Sequence, residues 1–355
     1  MLGLPTMDTV RDAASNVAHR WLFGGLADFR PVPRTLIDEG RTRQVFSYHL
    51  PAGVEPTGNP TLLVPPLAVP DSCFDLRRGC SVVEHLVNRG RPTYLVEYGE
   101  IGFADRALGL EHWVEEVLPA AVRAAHEHSG GKPLHVVGWC LGGIMSVLAA
   151  ARLGAWPIAS LTVVASPFDF TAIPLVAPFR PLINATGGHA LTPLYRAFGS
   201  IPAPLVRTAF QVSGLDKQIT KPFAIALNLA DRDYLAQIEA VERFTDRMVA
   251  YPGRTVAQIY HRFFRANSLA SGSVTLAGRT TTLTGIKQPT LVIAGATDAI
   301  APPRAVGKLV DLLPEAAGVR FETAPGGHLG VLTGRAARHS TWPLIDRFQD
   351  ELDAA

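Results

Sequence analysis

The sequence has few cysteines: Cys73, Cys80 and Cys140 are the three in 355 residues. An odd and sparse set cannot form the disulfide framework of a small secreted protein, and it suits a reducing compartment. Cys73 and Cys80 are too widely spaced for a zinc knuckle and have no histidine pattern around them. We therefore expect a cytoplasmic protein with no metal site.

Charge is also sparse. Charged residues make up 18% of the chain, the formal net charge is +2, and the lysines and arginines are scattered rather than grouped. A dedicated nucleic-acid-binding protein carries a basic patch or stripe. We therefore expect no nucleic-acid partner.

Long apolar runs are missing as well. The most apolar region, residues 144–166, is interrupted by Arg152, Gly154 and Pro157, which divide it into a helix and a strand. We therefore expect no transmembrane segment. The N-terminal residues include Asp8 and Asp12 and lack an apolar core with a small-residue cleavage site, so we expect no signal peptide. Neither GxGxxG nor GxxxxGK[ST] occurs, so no cofactor is expected.

What the sequence does contain is an alternation of short β-branched runs with helical stretches. The predicted strands are residues 44–50, 61–65, 93–99, 134–139, 160–166, 289–295 and 319–325, and a closing helix is predicted over about 336–352. This alternation predicts an α/β fold with a mostly parallel central sheet and helices on both faces.

The alternation stops once, between the fifth and sixth predicted strands. Residues 167–285 are rich in Pro, Phe, Leu and Ala and contain helical stretches, so we interpret them as an inserted helical cap or lid. The predicted core then comprises residues 34–166 and 286–355, and residues 1–33 form an N-terminal extension.

Residues 138–142 match Gly-x-Cys-x-Gly, the nucleophile-elbow pattern with sulfur in place of the usual hydroxyl. In an elbow a strand ends, the chain turns sharply at the nucleophile, and a helix begins. Here an apolar strand precedes Cys140 and the helical run IMSVLAAARL follows it. A helix N-terminus also stabilises a thiolate. We predict Cys140 as the nucleophile; the alternative is a buried cysteine in a strand-to-helix turn.

A thiolate nucleophile needs a base that later returns a proton, and in an elbow protein the acid and then the histidine follow the nucleophile in sequence. Asp298 follows the strand 289–295, and His328 follows the strand 319–325. We predict a catalytic triad of Cys140, Asp298 and His328, in which Asp298 orients His328.

Other residues compete for these roles. Asp169, just after the strand 160–166, is the alternative acid, because some hydrolases of this architecture place the carboxylate there. Four other histidines are less well placed, because one enters the nucleophile strand far from its C-terminal end and three lie in helical stretches: His135, His85, His112 and His261.

An oxyanion hole requires two backbone N–H groups, one from the residue after the nucleophile and one from the loop after the third strand. Leu141 supplies the first. In the third-strand loop Pro65 and Pro66 have no N–H, so the first available donor is Leu67, with Ala68 next. We predict Leu141 and Leu67; the alternative is that this loop is only a rigid connection.

With these motifs the sequence resembles the poly(3-hydroxyalkanoate) synthases of the α/β-hydrolase superfamily, particularly the short, class III-like type. The resemblance covers nearly the whole chain. It depends on six segments: residues 62–76 (LLxPPLxxxxxxxDL), ADRALGLEHW, GWCLGG, VASPFDF, LVIAGATDAIAPP and PGGHLGV.

This resemblance implies an α/β-hydrolase fold with a lid, acyl-CoA donors, and a covalent thioester on Cys140. It also implies a second synthase subunit or a homodimer, and association with a lipid or polymer-granule surface. The function expected is transfer of (hydroxy)acyl groups to a hydroxyl acceptor. A thioesterase, esterase or depolymerase with the same triad is the alternative, and a catalytically silent granule-associated protein is a third.

The sequence departs from the family at three places. The family usually has Asn, a basic residue and Tyr in the loop where this chain has Val69, Pro70 and Ser72. It has Asp-Trp-Gly where this chain has residues 97–99, Glu-Tyr-Gly, and it often has His at the position of Ala299.

Overall fold

The computed structural model describes residues 6–154, 156–174, 200–201, 204, 208 and 215–355. The strands are β1 Arg34–Gly40, β2 Arg43–Tyr48, β3 Thr61–Val64, β4 Thr93–Glu97, β5 Leu134–Trp139, β6 Ile158–Val164, β7 Ser200–Ile201, β8 Tyr251–Pro252, β9 Ser273–Leu276, β10 Arg279–Thr282, β11 Thr290–Gly295 and β12 Val319–Ala324.

The α-helices are α1 Met7–Phe23, α2 Val82–Asn88, α3 Leu110–His112, α4 Leu118–His128, α5 Leu141–Leu153, α6 Leu215–Leu227, α7 Arg232–Asp246, α8 Gly253–Gln258, α9 Pro303–Gly307, α10 Gly330–Thr333 and α11 Thr341–Asp353. Two π-helical turns, Trp113–Val117 and Ile259–Arg265, continue α3 and α8. Among the described helices, none combines the length and the apolar character that a membrane crossing needs.

Eight of the described strands form the central sheet, in the order β1-β2-β4-β3-β5-β6-β11-β12. The pairs β1–β2 and β2–β4 are antiparallel, and all the other pairs are parallel. Every residue of β3, β5 and β11 is buried, as expected for strands covered by helices on both faces. The predicted α/β architecture is therefore confirmed.

The seven predicted strands are all present, with ends that differ by at most two residues. The structure adds β1, which pairs with β2 across a tight turn at Arg41 and Thr42. Its charged sequence, RTLIDEG, lacks a continuous apolar run, because β1 is an edge strand with exposed positions.

The region predicted to be helical between the two core segments also contains strands. The hairpin β9–β10 closes through Ala277 and Gly278, both with positive φ, as a two-residue turn requires. The inserted region therefore contains a short hairpin in addition to its helices. Residues 175–199 of the predicted cap lie outside the described residues, and its boundaries stay a prediction.

Sheet topology determines where the site lies. Because β5, β11 and β12 run parallel, their C-terminal ends meet at one edge of the sheet. Cys140 directly follows β5, Asp298 follows β11 by three residues, and His328 follows β12 by four. The loops that carry these three residues therefore converge.

Candidate active site

Cys140 lies at the turn between β5 and α5, with φ 54° and ψ −123°. A cysteine with positive φ is strained, and this geometry persists because the surrounding structure requires it. The strand, the sharp turn and the helix occur in the order that a nucleophile elbow requires. The residue is partly buried at this edge of the sheet.

Two glycines allow this turn to pack closely. A Cβ on Gly138 would lie 2.5 Å from the Cα of Gly143, and a Cβ on Gly142 would lie 2.2 Å from the carbonyl oxygen of Val64. Any side chain at these positions would displace the backbone. The elbow therefore packs directly against the end of β3.

Asp298 and His328 form a buried pair. The Nδ1 of His328 lies 2.8 Å from Oδ2 of Asp298, and the other carboxylate oxygen accepts hydrogen bonds from the backbone N–H groups of Ile300 and Ala301 at 2.8 and 2.9 Å. The backbone N–H of Thr297 also donates to the carbonyl of Gly326, which joins the two loops. The carboxylate is therefore fixed and keeps one oxygen for the imidazole.

The imidazole of His328 also interacts with Cys140. Burial disfavours the imidazolium, but the negative charges of Cys140 and Asp298 and the hydrogen bonds to both outweigh it and raise the pKa of His328 to about 10. The structure thus brings the three predicted residues together.

The two predicted oxyanion donors lie where β3 and β5 end. Leu141 is the first residue of α5, and Leu67 lies in the loop after β3 that packs on the elbow. Within the described residues, neither backbone N–H donates a hydrogen bond. The next residue, Ala68, has φ 64°, which turns the loop sharply. An oxyanion role for this pair stays a prediction.

Tyr98 supports this loop from the neighbouring strand. It is buried after β4, and its hydroxyl donates a 2.9 Å hydrogen bond to the carbonyl of Pro65. Tyr98 lies in the Glu-Tyr-Gly segment where the resembling family has Asp-Trp-Gly. The tyrosine in this chain therefore anchors the loop that carries Leu67.

Asp169, the competing acid, has other partners. It caps the 3₁₀ turn Phe170–Ala172, where it accepts hydrogen bonds from the backbone N–H and the hydroxyl of Thr171. It also accepts from the side-chain amide of Asn267 at 2.9 Å. These contacts give Asp169 a local structural role, while Asp298 holds the histidine.

Three of the competing histidines are engaged elsewhere. His135 is fully buried between Ser160 and Asp353, at 2.7 and 3.0 Å. His85 pairs with Asp346, and His112 contacts Thr42 and Glu116. Among the described residues, no group of three histidine, cysteine or carboxylate side chains is arranged to hold a metal ion.

Sequence reasoning missed Tyr251, in β8. Burial and then the negative charge of Cys140 raise the pKa of its phenol well above the usual range, so the hydroxyl stays protonated near the nucleophile. Its sequence context, a short strand before α8, carries no motif, so its proximity to Cys140 comes from the tertiary fold alone.

Together, the sheet order and the elbow define a protein with the α/β-hydrolase fold. Among solved structures, BpoC of Mycobacterium tuberculosis, named as a non-heme bromoperoxidase, aligns with a TM-score of 0.53 and 16% identity, covering 90% of this chain and 97% of that protein. No protein-family model matches the chain.

Among curated proteins the chain is similar to poly(3-hydroxyalkanoate) polymerase subunits PhaC. Identity is 25% with the Haloferax mediterranei protein, 23% with that of Haloarcula marismortui and 25% with that of Thiocystis violacea. The alignments cover 81%, 98% and 86% of this chain. They span 57%, 74% and 85% of the three relatives. The resemblance to the poly(3-hydroxyalkanoate) synthases is therefore confirmed.

Proposed function

We propose that the protein is an acyltransferase of the poly(3-hydroxyalkanoate) synthase type. It transfers a (hydroxy)acyl group from acyl-CoA to a hydroxyl acceptor through a thioester on Cys140. The observation that carries the proposal is the buried Asp298–His328 pair at the nucleophile elbow. The similarity to polymerase subunits supports the choice of substrate and acceptor.

In the first half of the reaction the Cys140 thiolate attacks the thioester carbonyl of the acyl-CoA. The imidazolium of His328 then gives its proton to the departing CoA sulfur, and Asp298 holds the imidazole in place. The N–H groups of Leu141 and Leu67 stabilise the transient oxyanion. The products are the acyl-enzyme, free CoA and a neutral His328.

In the second half an acceptor hydroxyl attacks the acyl-enzyme carbonyl. Neutral His328 takes the hydroxyl proton, the new ester forms, and Cys140 leaves as a thiolate. The imidazolium and thiolate are thereby restored. Because a thioester is exchanged for another thioester in the first half, the acyl group stays activated until the acceptor arrives.

A cleft of about 530 Å³ opens beside the loop that carries Leu67. Leu67, Val69, Tyr98 and Ile101 are among the residues that form its wall. This volume falls within the range of small-molecule sites. It offers room for a substrate group next to Leu67, one of the two predicted oxyanion donors.

Hydrolysis is the second candidate, with water as the acceptor and the same three residues. The loop at Val69, Pro70 and Ser72 lacks the polar groups of the synthases, and Cys140 is partly exposed. Water competes with a hydroxyl acceptor wherever it reaches the acyl-enzyme. The share of acyl groups that goes to water rather than to a hydroxyl acceptor therefore distinguishes hydrolysis from acyl transfer.

The test is incubation of the purified protein with 3-hydroxybutyryl-CoA, with free CoA, soluble acid and insoluble polymer all measured. Transfer predicts CoA release accompanied by polymer or a chain-extended product, and release of one free acid per CoA contradicts it. Cys140→Ala abolishes CoA release. Cys80→Ala, which removes a buried thiol bound to the carbonyl of Thr333, leaves the products unchanged.

A further inference from the structure

The residue before the proposed nucleophile is a tryptophan that contacts His328 directly. Trp139 is 1% exposed, and its indole Nε1 donates a 3.0 Å hydrogen bond to the backbone carbonyl of His328. The indole and imidazole centroids lie 5.2 Å apart, with the ring planes at 41°. One side chain thus contacts both the main chain and the ring of this histidine.

Trp139 also contacts helix α7. The ring of Phe244, near the C-terminal end of α7, lies 6.3 Å from the indole and is itself buried. Trp139, the last residue of β5, therefore contacts both α7 and the loop that carries His328.

We propose that Trp139 is a positioning residue, which holds His328 at the distance and orientation from Cys140 that proton transfer requires. The inference rests on the proposed function, in which these two residues exchange a proton. Trp139 is covalently bonded to Cys140 and hydrogen-bonded to His328. Trp139 therefore links the nucleophile to its base through one peptide bond and one hydrogen bond.

The hydrogen bond matters because the His328 carbonyl is buried. Without the indole N–H this carbonyl loses its donor, and the loop is free to move toward another. A shift of about 1 Å in a reacting group is enough to cost about 10²-fold in rate.

The indole ring makes a second contact. Its centroid lies 5.2 Å from that of the imidazole, with the ring planes at 41°. The tilted indole therefore restricts how far the imidazole of His328 can shift or rotate.

The test is the alkylation rate of Cys140 by iodoacetamide as a function of pH, followed by mass spectrometry of the peptide that contains Cys140. This reaction reports the thiolate and its imidazolium partner and needs no acyl substrate. Trp139→Phe keeps an aromatic ring but removes the N–H. Trp342→Phe is the matched control: Trp342 is 5% exposed, donates to the carbonyl of Leu332 at 2.8 Å, and lies 5.0 Å from His85 at 39°.

We expect Trp139→Phe to lower the alkylation rate of Cys140 at neutral pH about tenfold, as expected for the loss of one buried hydrogen bond. The alkaline inflection, where His328 loses its proton, moves to lower pH. Trp342→Phe keeps the wild-type rate and profile. An unchanged profile in Trp139→Phe, or an equal change in the control, overturns the proposal.

Replacing the Trp139 indole by benzothiophene, which has the same shape and no N–H, provides a second variant if Trp139→Phe fails to fold. It is expected to lower the rate like Trp139→Phe, and a wild-type rate overturns the proposal. The measurements distinguish failure of the proposed function from failure of the positioning role of Trp139. If acyl transfer is absent but both variants lower the alkylation rate, the proposed function is wrong and the positioning role stands. If transfer occurs and neither variant changes alkylation, the positioning role is wrong.

Discussion

At the scale of single residues, the choice between two carboxylates is the clearest prediction. Asp298→Asn removes the acceptor that orients the imidazole, so we expect the rate of acyl transfer to fall about 10²- to 10⁴-fold. Asp169→Asn is the matched control, since this side chain bonds Thr171 and Asn267. Steady-state rates of CoA release measure both. A larger loss in Asp169→Asn than in Asp298→Asn would contradict the assignment.

The pH dependence of the reaction follows from the same pair. The charges of Cys140 and Asp298 outweigh burial and raise the pKa of His328 to about 10, so imidazolium persists through the neutral range. We expect kcat/KM for acyl-CoA to fall above pH about 10, where the proton for the CoA sulfur is lost. In Asp298→Asn one anion is removed, so the alkaline limb moves to lower pH. If kcat/KM of the wild-type protein instead fell near pH 6.5, the ordinary pKa of histidine, the result would contradict this interpretation.

Some of these residue positions could be predicted from sequence and others could not. The elbow pattern around Cys140 and the order of Asp298 and His328 are local signals, because each residue follows the end of a predicted strand by one to four residues. The hydrogen bonds that Tyr98 and Trp139 donate join residues that lie 33 and 189 positions apart in the sequence. No local pattern encodes such contacts, so they emerge only when the strands are arranged in the sheet.

At the scale of elements, helix α7 is attached to the core through its N-terminal turn. The carboxylate of Asp233 pairs with Arg77 at 2.6 Å, Arg335 at 2.8 Å and Arg338 at 2.6 Å, and the side chain of Arg77 is 6% exposed. Burial acts against the charge of Asp233, but the hydrogen bonds from Arg77 and Arg338 outweigh it and lower its pKa. The pairing therefore persists at neutral pH.

We expect Asp233→Asn to loosen α7, because it leaves the buried guanidinium of Arg77 without its anion. Hydrogen exchange of the amides of α7 should become at least about tenfold faster. Glu242→Gln on the same helix removes an exposed partner of Lys221 and should leave exchange unchanged. Equal exchange in the two variants would show that the Asp233 cluster does not hold the helix.

The elements that sequence reasoning missed share a physical cause. Strand β1 is charged and partly exposed, and β9 and β10 have only four residues each, so none of them gives an extended apolar run. The strands at the centre of the sheet are buried on both faces and give continuous apolar runs that can be predicted.

At the scale of the whole molecule, the end of the C-terminal helix α11 contacts the edge of the sheet opposite the site, where β3, β4 and β5 begin. Asp353 accepts hydrogen bonds from Arg91 at 2.7 Å and from the backbone of Asn59 at 3.2 Å, and it pairs with the buried His135 at 3.0 Å. These partners come from the loops before β3 and β4 and from β5 itself. One carboxylate therefore joins residues up to 294 positions apart.

We expect Asp353→Asn to lower the free energy of unfolding by about 2 kcal/mol, the scale for hydrogen bonds to a charged group. Asp350→Asn, at a 48% exposed neighbour that also pairs with Arg91, should cost less than about 1 kcal/mol. Urea unfolding of both variants provides the measurement. An equal loss in the two would contradict the role given to Asp353.

The contribution of Asp353 also has a defined pH dependence. Burial raises its pKa, but the hydrogen bonds from Arg91 and His135 outweigh burial and lower it. A depressed carboxylate stabilises the fold above its unfolded pKa, and this contribution is lost as pH falls through the folded value. The difference in stability between wild type and Asp353→Asn should therefore shrink below pH about 4.

The central claim is that the acyl group is carried on Cys140. The most direct measurement is mass spectrometry of the protein quenched in acid shortly after mixing with 3-hydroxybutyryl-CoA. We predict a mass increase of one or more hydroxybutyryl groups on the peptide that contains Cys140, released by hydroxylamine and absent in Cys140→Ala. CoA release with no adduct on Cys140, together with undiminished turnover in Cys140→Ala, would contradict the account.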